Sequence, residues 1–349
     1  MGVGAIKEVM LPLTPRRDFL KQAALLPVMA VGGLSALGSR AEAALIPVPR
    51  GGGSPRLKIS LNAYSFARQL NDKLRGRGAG MSLFDLIDFC AKNDFEGFDP
   101  TGYYMPGWYE KPRKLPTDAY LNELKRRAFE AGIGISGTGT QESLTTANVA
   151  DRQAGFALIK QWVEVAARLG APVLRIFADT VGKDADWKVA SGGAPRQDVE
   201  DWIAAGIADC AEVGKRYGVI IGIQNHGDFL RTAEDLLSLV SKVNSPWCGA
   251  IVDSGYFRSA DPYVDMEKAA PYAVNWQVKT SSFPVREKSD EPDSAHDMDL
   301  IRLMKIIRGS GYRGYVPIEV LSKPGTPYNP FKEVPAFAVK VRAAIAATA

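Results

Sequence analysis

Histidine is nearly absent: His226 and His296 are the only two in 349 residues. That excludes a catalytic centre built on several imidazoles, such as a multi-histidine zinc cluster. Cysteine is also scarce. Cys90, Cys210 and Cys248 lie far apart in apolar surroundings and lack the short paired spacing of a zinc or redox motif. Their odd count leaves at least one unpaired, and buried thiols are the expectation for all three. Neither charge sign dominates: 43 Lys and Arg stand against 39 Asp and Glu, a formal net of +4. With no Lys/Arg-rich run, nucleic acid is not an expected partner. No Gly-x-Gly-x-x-Gly turn follows the first strand-like segment, which argues against a dinucleotide-binding open sheet.

Long apolar runs are missing too, with one short exception. The stretch "AALLPVMAVGGLSALG" (23–38) falls below the ~20 residues that a stable membrane span needs. It follows "TPRRDFLK" (14–21) and precedes "AEA" (41–43). Paired arginines, a moderate apolar segment and a small-x-small cleavage site make a twin-arginine export signal. The expectation is cleavage after Ala43, export by the twin-arginine translocon and a periplasmic or secreted protein without a stable span. Residues 44–56, "ALIPVPRGGGSPR", read as a flexible lead-in to a single domain over 57–349.

What is present is a regular alternation. Strand-like runs occur at 57–64, 96–100, 133–139, 172–178, 219–225, 248–254, 274–280 and 315–321. Amphipathic segments with apolar residues three and four apart separate or follow them, at 82–95, 118–132, 152–170, 199–218, 232–243, 298–311 and 331–347. Gly132, Gly170, Gly218 and Gly311 stand where helices should stop. Such alternation implies a parallel sheet. Eight repeats predict a closed (β/α)8 barrel, a single-domain α/β TIM barrel, over an open doubly wound sheet.

In a barrel of this kind the chemistry lies at the carboxyl ends of the strands. The strands end in Asn62, Asp99, "GTGTQES", Arg175 with Asp179, Gln224-Asn225-His226, Asp253, Gln277 with Lys279, and Glu319. Strands of a parallel sheet normally read as unbroken apolar runs, and an ionised carboxylate inside one is costly unless paired or bound to metal. Asp253 in "CGAIVDSG" and Glu319 in "YVPIEVLS" break two such runs. Taken singly, each could cap a strand or pair with a nearby Lys or Arg. Gln224, Asp253, Gln277 and Glu319, however, come from four consecutive strands, so their oxygen-bearing side chains converge on one mouth and suggest a metal site.

The chain resembles the xylose-isomerase-like barrels, a superfamily of sugar phosphate isomerases and epimerases that includes endonuclease IV-type enzymes. The resemblance rests on "GIQNHGDF", "GAIVDSGYF", "NWQVKT" and "GYRGYVPIEV" and covers essentially the whole of 57–349. It implies a divalent ion held by a Glu on the fifth strand, an Asp on the sixth, a His on the seventh and a Glu on the eighth. These map onto Gln224, Asp253, Gln277 and Glu319, so this chain departs from the pattern twice. Both replacements keep an oxygen but lose charge. Without the imidazole the implied cofactor is manganese or magnesium, with cobalt, zinc or calcium as further candidates.

The implied chemistry is proton transfer next to the carbonyl of a sugar, keto-sugar or polyol derivative. An amide cannot accept the proton. Glu319 remains as a base, His226 is the candidate for the second, and Lys279 is expected to bind or stabilise developing charge. Asn62, Arg175, Asp179 and the aromatic pair Tyr103 and Trp108 are the candidate substrate contacts, though the aromatic residues could equally pack a loop. Two other readings stay open. One is a lyase or hydrolase of oxidised (keto) glycosides at the same site, and the other is a non-catalytic exported sugar-binding barrel. DNA repair of the endonuclease IV type needs more histidines than this chain has. Oligomeric state is not written in the sequence.

Overall fold

The computed structural model describes residues 45–178, 186–281, 297–321 and 327–349. The expected export signal, Asp179 and His296 lie outside these residues. Nine strands run through the described chain: β1 (Leu57–Asn62), β2 (Gly97–Asp99), β3 (Gly134–Ile135), β4 (Thr138–Gly139), β5 (Val173–Phe177), β6 (Ile220–Gln224), β7 (Cys248–Asp253), β8 (Ala273–Lys279) and β9 (Gly314–Glu319). All neighbours pair in parallel, in the order β3-β2-β1-β9-β8-β7-β6-β5-β4.

The two ends of that order are consecutive pieces of one stretch, separated only by Ser136 and Gly137. Ser136 N–H still donates to the Phe98 carbonyl on the β2 side, whereas Thr140 N–H donates to the Arg175 carbonyl on the β5 side. The third barrel strand therefore hands its hydrogen bonds from one neighbour to the other, and the sheet closes into the expected eight-position TIM barrel.

Helices α1 (Ala67–Leu74), α2 (Leu83–Lys92), α3 (Asp118–Glu130), α4 (Val149–Leu169), α5 (Trp187–Ala190), α6 (Arg196–Tyr217), α7 (Ala233–Val243), α8 (Pro262–Ala269), α9 (Leu300–Gly309) and α10 (Pro330–Ala347) fill the connections. Their ends follow local chemistry. Ser82 with Asp85 and Thr232 with Asp235 form capping boxes that start α2 and α7. Gly170 (φ 82°) and Gly218 (φ 72°) close α4 and α6 in the left-handed conformation that glycine adopts without a steric penalty. Among the described residues no helix is long and apolar enough to cross a membrane.

The lead-in is held against the barrel. Val48 N–H donates to the Pro271 carbonyl, Arg50 donates to the Ala273 carbonyl at 2.6 Å, and the Arg50 guanidinium lies over the Tyr312 ring.

Strand β9 shows how the barrel positions its mouth. Val316 and Ile318 are fully buried on its outer face. Tyr315, Pro317 and Glu319 alternate with them and so share the opposite, inner face. The Tyr315 ring fills the floor: a Cβ on Gly97 would meet it at 2.5 Å, and one on Gly134 would meet its hydroxyl at 2.0 Å. Tyr312 hydrogen-bonds the Tyr315 carbonyl at 2.7 Å and packs edge-on against Trp276. The "GYRGY" element thus plugs the barrel bottom and fixes the register that delivers Glu319 to the top.

Candidate active site

Barrel interiors of this class are usually filled by branched aliphatic side chains. Here the inner face is polar from the middle upward. Ser60 and Ser136 share a hydroxyl hydrogen bond of 2.5 Å, and Asn275 donates to the Ser136 carbonyl at 3.3 Å. Above them lie Asn62, Asp99, Thr138, Arg175, Gln224, Asp253, Gln277, Lys279 and Glu319, all buried.

The four residues expected to converge do so, and a fifth sits between them. Asp253 is the register partner of Gln277, and Lys279 that of Glu319, so β8 carries Gln277 and Lys279 between the two carboxylate strands. Gln224 Nε2 donates to Asp253 Oδ2 at 2.5 Å, and Gln277 Nε2 donates to Glu319 Oε2 at 2.6 Å. Ionised carboxylates only accept, so with both ionised the amides turn their NH2 groups toward them. The Gln277 carbonyl oxygen accepts in turn from Asn62 Nδ2 at 3.2 Å. Lys279 Nζ donates to Glu319 Oε1 and lies 3.4 Å from Asp253 Oδ2. Burial opposes the charge on Lys279, but Asp253 and Glu319 outweigh it and hold the ammonium above the ordinary lysine value. Burial pushes the Asp253 carboxyl up to about 7, against the pull of Lys279.

On the opposite wall Arg175 donates to Asp99 Oδ2 at 2.6 Å and to Thr101 Oγ1 at 3.1 Å. Burial opposes charge on the guanidinium, Asp99 outweighs it, and Arg175 stays protonated. Thr101 Oγ1 donates weakly to Asn62 Oδ1 at 3.4 Å and links this pair to the rest of the mouth. Arg175 is therefore a structural ion-pair partner first and a candidate substrate contact second. Spacing along the sequence did not single out Asp99 as its partner.

Strand β6 stops at Gln224. Asn225 then mimics one more rung of the ladder: its Nδ2 donates to the Asp253 carbonyl at 2.9 Å, and its Oδ1 accepts from Asp253 N–H at 2.7 Å. This side-chain rung lets the chain leave the sheet at His226, whose ring lies between Phe177 (4.6 Å) and Tyr256 (4.0 Å between centroids). Burial, followed by the cations Lys279, Arg175 and Arg258, pushes His226 down to about 3. The imidazole is neutral at pH 7 and a weak base.

Tyr103 and Trp108 are buried, Trp108 edge-on against Tyr103 and Trp162 with the Arg113 guanidinium stacked on it. Trp108 packs the loop after β2. Tyr64 holds the more accessible aromatic position, 42% exposed and in ring contact with Tyr103 and Tyr104. Three buried polar atoms of the mouth have no hydrogen-bond partner among the described residues: Asp99 Oδ1, Gln224 Oε1 and His226 Nδ1. Such atoms are the natural contacts for a polar ligand.

A divalent ion is the cofactor that the resemblance implies, and these residues as placed do not fit it. A hard cation needs several oxygen donors converging at about 2.0–2.6 Å. Here an ammonium touches both carboxylates, and both amides turn NH2 groups toward them. Among the described residues no group of three or more His, Cys, Asp or Glu could hold a metal.

A parallel barrel with a buried polar constellation at its carboxyl end defines a TIM-barrel protein with an enzyme-like mouth. The chain belongs to the xylose isomerase-like TIM barrel family, whose profile matches residues 87–338. Among solved structures it is similar to D-psicose 3-epimerase from Clostridium cellulolyticum H10 solved with D-tagatose. The identity is 13%, 82% of this chain and 99% of that chain are covered, and the TM-score is 0.62. It is also similar to 3-keto-D-glucoside 4-epimerase from E. coli (11% identity, 83% and 99% covered, TM-score 0.60). L-ribulose 3-epimerase gives 13% identity, 84% and 95% covered, and a TM-score of 0.63. At these identities the likeness establishes the fold. A search of the curated proteins gives no match.

Proposed function

We propose that this protein is a sugar isomerase or epimerase that moves a proton next to a carbonyl, with Glu319 as the base and Lys279 as the group that steadies the developing oxyanion. The observation that carries this reading is the Glu319 carboxylate held beside the Lys279 ammonium at the barrel mouth. Glu319 takes the proton from the carbon next to the carbonyl. The electron pair moves onto the carbonyl oxygen, and the ammonium stabilises that charge. Glu319 then delivers the proton to the former carbonyl carbon of the enediol, while the hydroxyl proton of the neighbouring carbon passes to the oxygen steadied by Lys279, so the carbonyl moves by one carbon. The Gln224 amide cannot act as a base, and the His226 imidazole is a weak one. One-base chemistry, in which the proton is taken and delivered on the same face, is therefore favoured; it isomerises a keto-sugar but cannot invert a stereocentre, which would need a second proton donor on the opposite face. Asn62, Arg175, His226 and Tyr64 stand around the mouth as substrate contacts.

The substrate we propose is an unphosphorylated keto-sugar or keto-glycoside. Similar folds bear the names of epimerases of psicose, ribulose and a keto-glucoside. The paired Arg16 and Arg17 with the "AEA" segment support export, away from the cytoplasmic pool of sugar phosphates. Sequencing the N-terminus of the protein recovered from the periplasm tests that part, with Ala44 as the expected first residue.

The chemistry is tested by incubating the protein with ketopentoses, ketohexoses and 3-keto-glucosides in D2O. The expected outcome is deuterium at the carbon next to the carbonyl, read by proton NMR and lost in Glu319→Gln. Release of the aglycone without a new sugar isomer would instead mark an elimination or hydrolysis. Saturable binding without exchange would mark a non-catalytic sugar-binding barrel.

A further inference from the structure

Lys279 is enclosed by four consecutive residues, the last of β7 and three of the turn after it, each meeting a different part of it. Asp253 Oδ2 lies 3.4 Å from its ammonium. Ser254 Oγ accepts its backbone N–H at 2.9 Å. Gly255 leaves room for its stem: a Cβ there would come within 2.6 Å of Lys279 Cγ. The Tyr256 ring faces its ammonium at 5.2 Å from the centroid, within cation–π range. Glu319 closes the remaining side from β9. The "DSGY" turn is thus a cradle shaped for a lysine, in which stem, backbone and charge are each accommodated.

The charge arrangement agrees with that shape. A divalent ion would require both carboxylates and inward-facing amide oxygens. The ammonium already touches both carboxylates, and both amides supply donors to them. A metal and an ammonium sharing the same two oxygens would repel across a few ångströms of buried, low-dielectric space. Glu→Gln and His→Gln changes relative to the family pattern fit the same logic, since each removes a metal ligand and supplies a hydrogen-bond donor that steadies a carboxylate. We infer that Lys279 is a built-in cation standing in the place of the divalent metal, and that the site of this chain is metal-independent. An ammonium has three N–H donors, and the two carboxylates account for two of them. The third can turn to a substrate oxygen, the task that a metal would otherwise perform.

The inference deepens the function proposed for the same site, and it is tested without any substrate. Wild-type protein is dialysed against EDTA and titrated with Mn²⁺, with free Mn²⁺ followed by electron paramagnetic resonance. Thermal unfolding is measured with and without millimolar Mn²⁺, Mg²⁺, Co²⁺ and Zn²⁺. The expected result is no specific uptake, a titration that superimposes on that of Asp253→Asn, and no metal-dependent shift of Tm. The triple variant Gln224→Glu, Gln277→His, Lys279→Met restores the family ligand set and removes the ammonium. It is expected to bind one Mn²⁺ per chain and to gain thermal stability with the metal. Uptake of one Mn²⁺ per wild-type chain, lost in Asp253→Asn, would overturn the inference. So would a triple variant that is folded by circular dichroism yet binds none. If the triple variant does not fold, Lys279→Met alone takes its place and is expected to gain weaker Mn²⁺ binding than a full ligand set would give. Inactivity toward every sugar would sink the proposed function while leaving this inference standing.

Discussion

Two walls of the barrel mouth solve the problem of buried charge differently. On one, Asp99 and Arg175 form a balanced pair, one anion to one cation, anchored by Thr101. On the other, Asp253, Lys279 and Glu319 place two carboxylates on one ammonium, and two glutamines supply the missing donors. The balanced wall carries no net charge, although burial raises the Asp99 carboxyl against the pull of Arg175, and it serves chiefly to hold the barrel. The unbalanced wall keeps a carboxylate in excess of the cation it shares, and such an excess can accept a proton. Buried acid–base pairs therefore make a strut on one side and, in the function proposed above, a base on the other, with stoichiometry as the difference.

The largest effect that would break this contrast is on turnover. Glu319→Gln keeps one oxygen to accept from Lys279, turns its NH2 toward Gln277, whose amide must flip to accept it, and removes the base. The expected loss is about 10²–10⁴-fold in the rate of deuterium exchange, the usual value of a positioned base, with little change in Tm. Asp99→Asn is expected to show the reverse, a modest change in rate and a large change in stability. A Glu319→Gln protein that still exchanges at the wild-type rate would remove the distinction between the walls.

Next in size are the stability effects. Asp99→Asn leaves the buried Arg175 guanidinium without its anion, at a cost of about 3–5 kcal/mol in urea unfolding. Adding Arg175→Met to that variant is expected to recover much of the loss, because the uncompensated charge goes with it. On the reactive wall Lys279→Met should cost about the same, ~3–5 kcal/mol, but no single second substitution recovers it, since two carboxylates are then left. Equal recovery on both walls would mean that the cluster behaves as a simple pair.

How far the two walls could be read in advance differs as well. All eight strand positions and seven of the helices follow from apolar periodicity and terminating glycines. Three short helices, α1, α5 and α8, leave too weak a pattern to be read, and α5 buries none of its residues. Helix α1 buries only Leu70, so its apolar stripe is too thin to stand out. Helix α8 announces itself only through Asp261 and Pro262, a cap and first-turn proline that also read as a turn. The split of the third strand left no mark, because handing hydrogen bonds from one neighbour to the other needs no special residue beyond Gly137. The convergence of Gln224, Asp253, Gln277 and Glu319 was legible from strand ends alone. Their partners were not. Strand alternation places Gln277 and Lys279 on one face, but whether Lys279 reaches both neighbouring carboxylates depends on barrel stagger. Likewise the Asp99–Arg175 pair spans the barrel between β2 and β5, on either side of the split strand.

A smaller effect sharpens the geometry of the reactive wall. Asn225 holds the end of β6 against β7 by two hydrogen bonds to the Asp253 backbone. Asn225→Ala leaves the buried Asp253 N–H unpaired and its carbonyl with only the 3.4 Å bond from Tyr256 N–H, an expected cost of about 1–3 kcal/mol. Asp253 and the "DSGY" cradle should loosen with it, seen as faster hydrogen exchange at Ser254 and Gly255. Exchange confined to the β6 end, with the cradle unchanged, would show that Lys279 is held without help from β6.

The last effect depends on pH and comes from a carboxylate that belongs to neither wall. Glu142 lies buried after β4, accepts from the Thr140 hydroxyl, and is pushed up to about 8 by burial, only partly offset by Thr140 and Arg113. In the unfolded chain a glutamate titrates near ~4.3. The folded state therefore binds this proton more tightly than the unfolded state. Its stabilising contribution is complete below about pH 4 and is lost as pH rises through about 8. Glu142→Gln cannot titrate and escapes that loss. Relative to wild type, the variant should gain stability between pH 5 and pH 9, read as a widening difference in urea midpoints. A constant difference across that range would mean that Glu142 finds compensation of the kind Lys279 gives Glu319, and that burial without a cation of its own is not what sets it apart from the two walls.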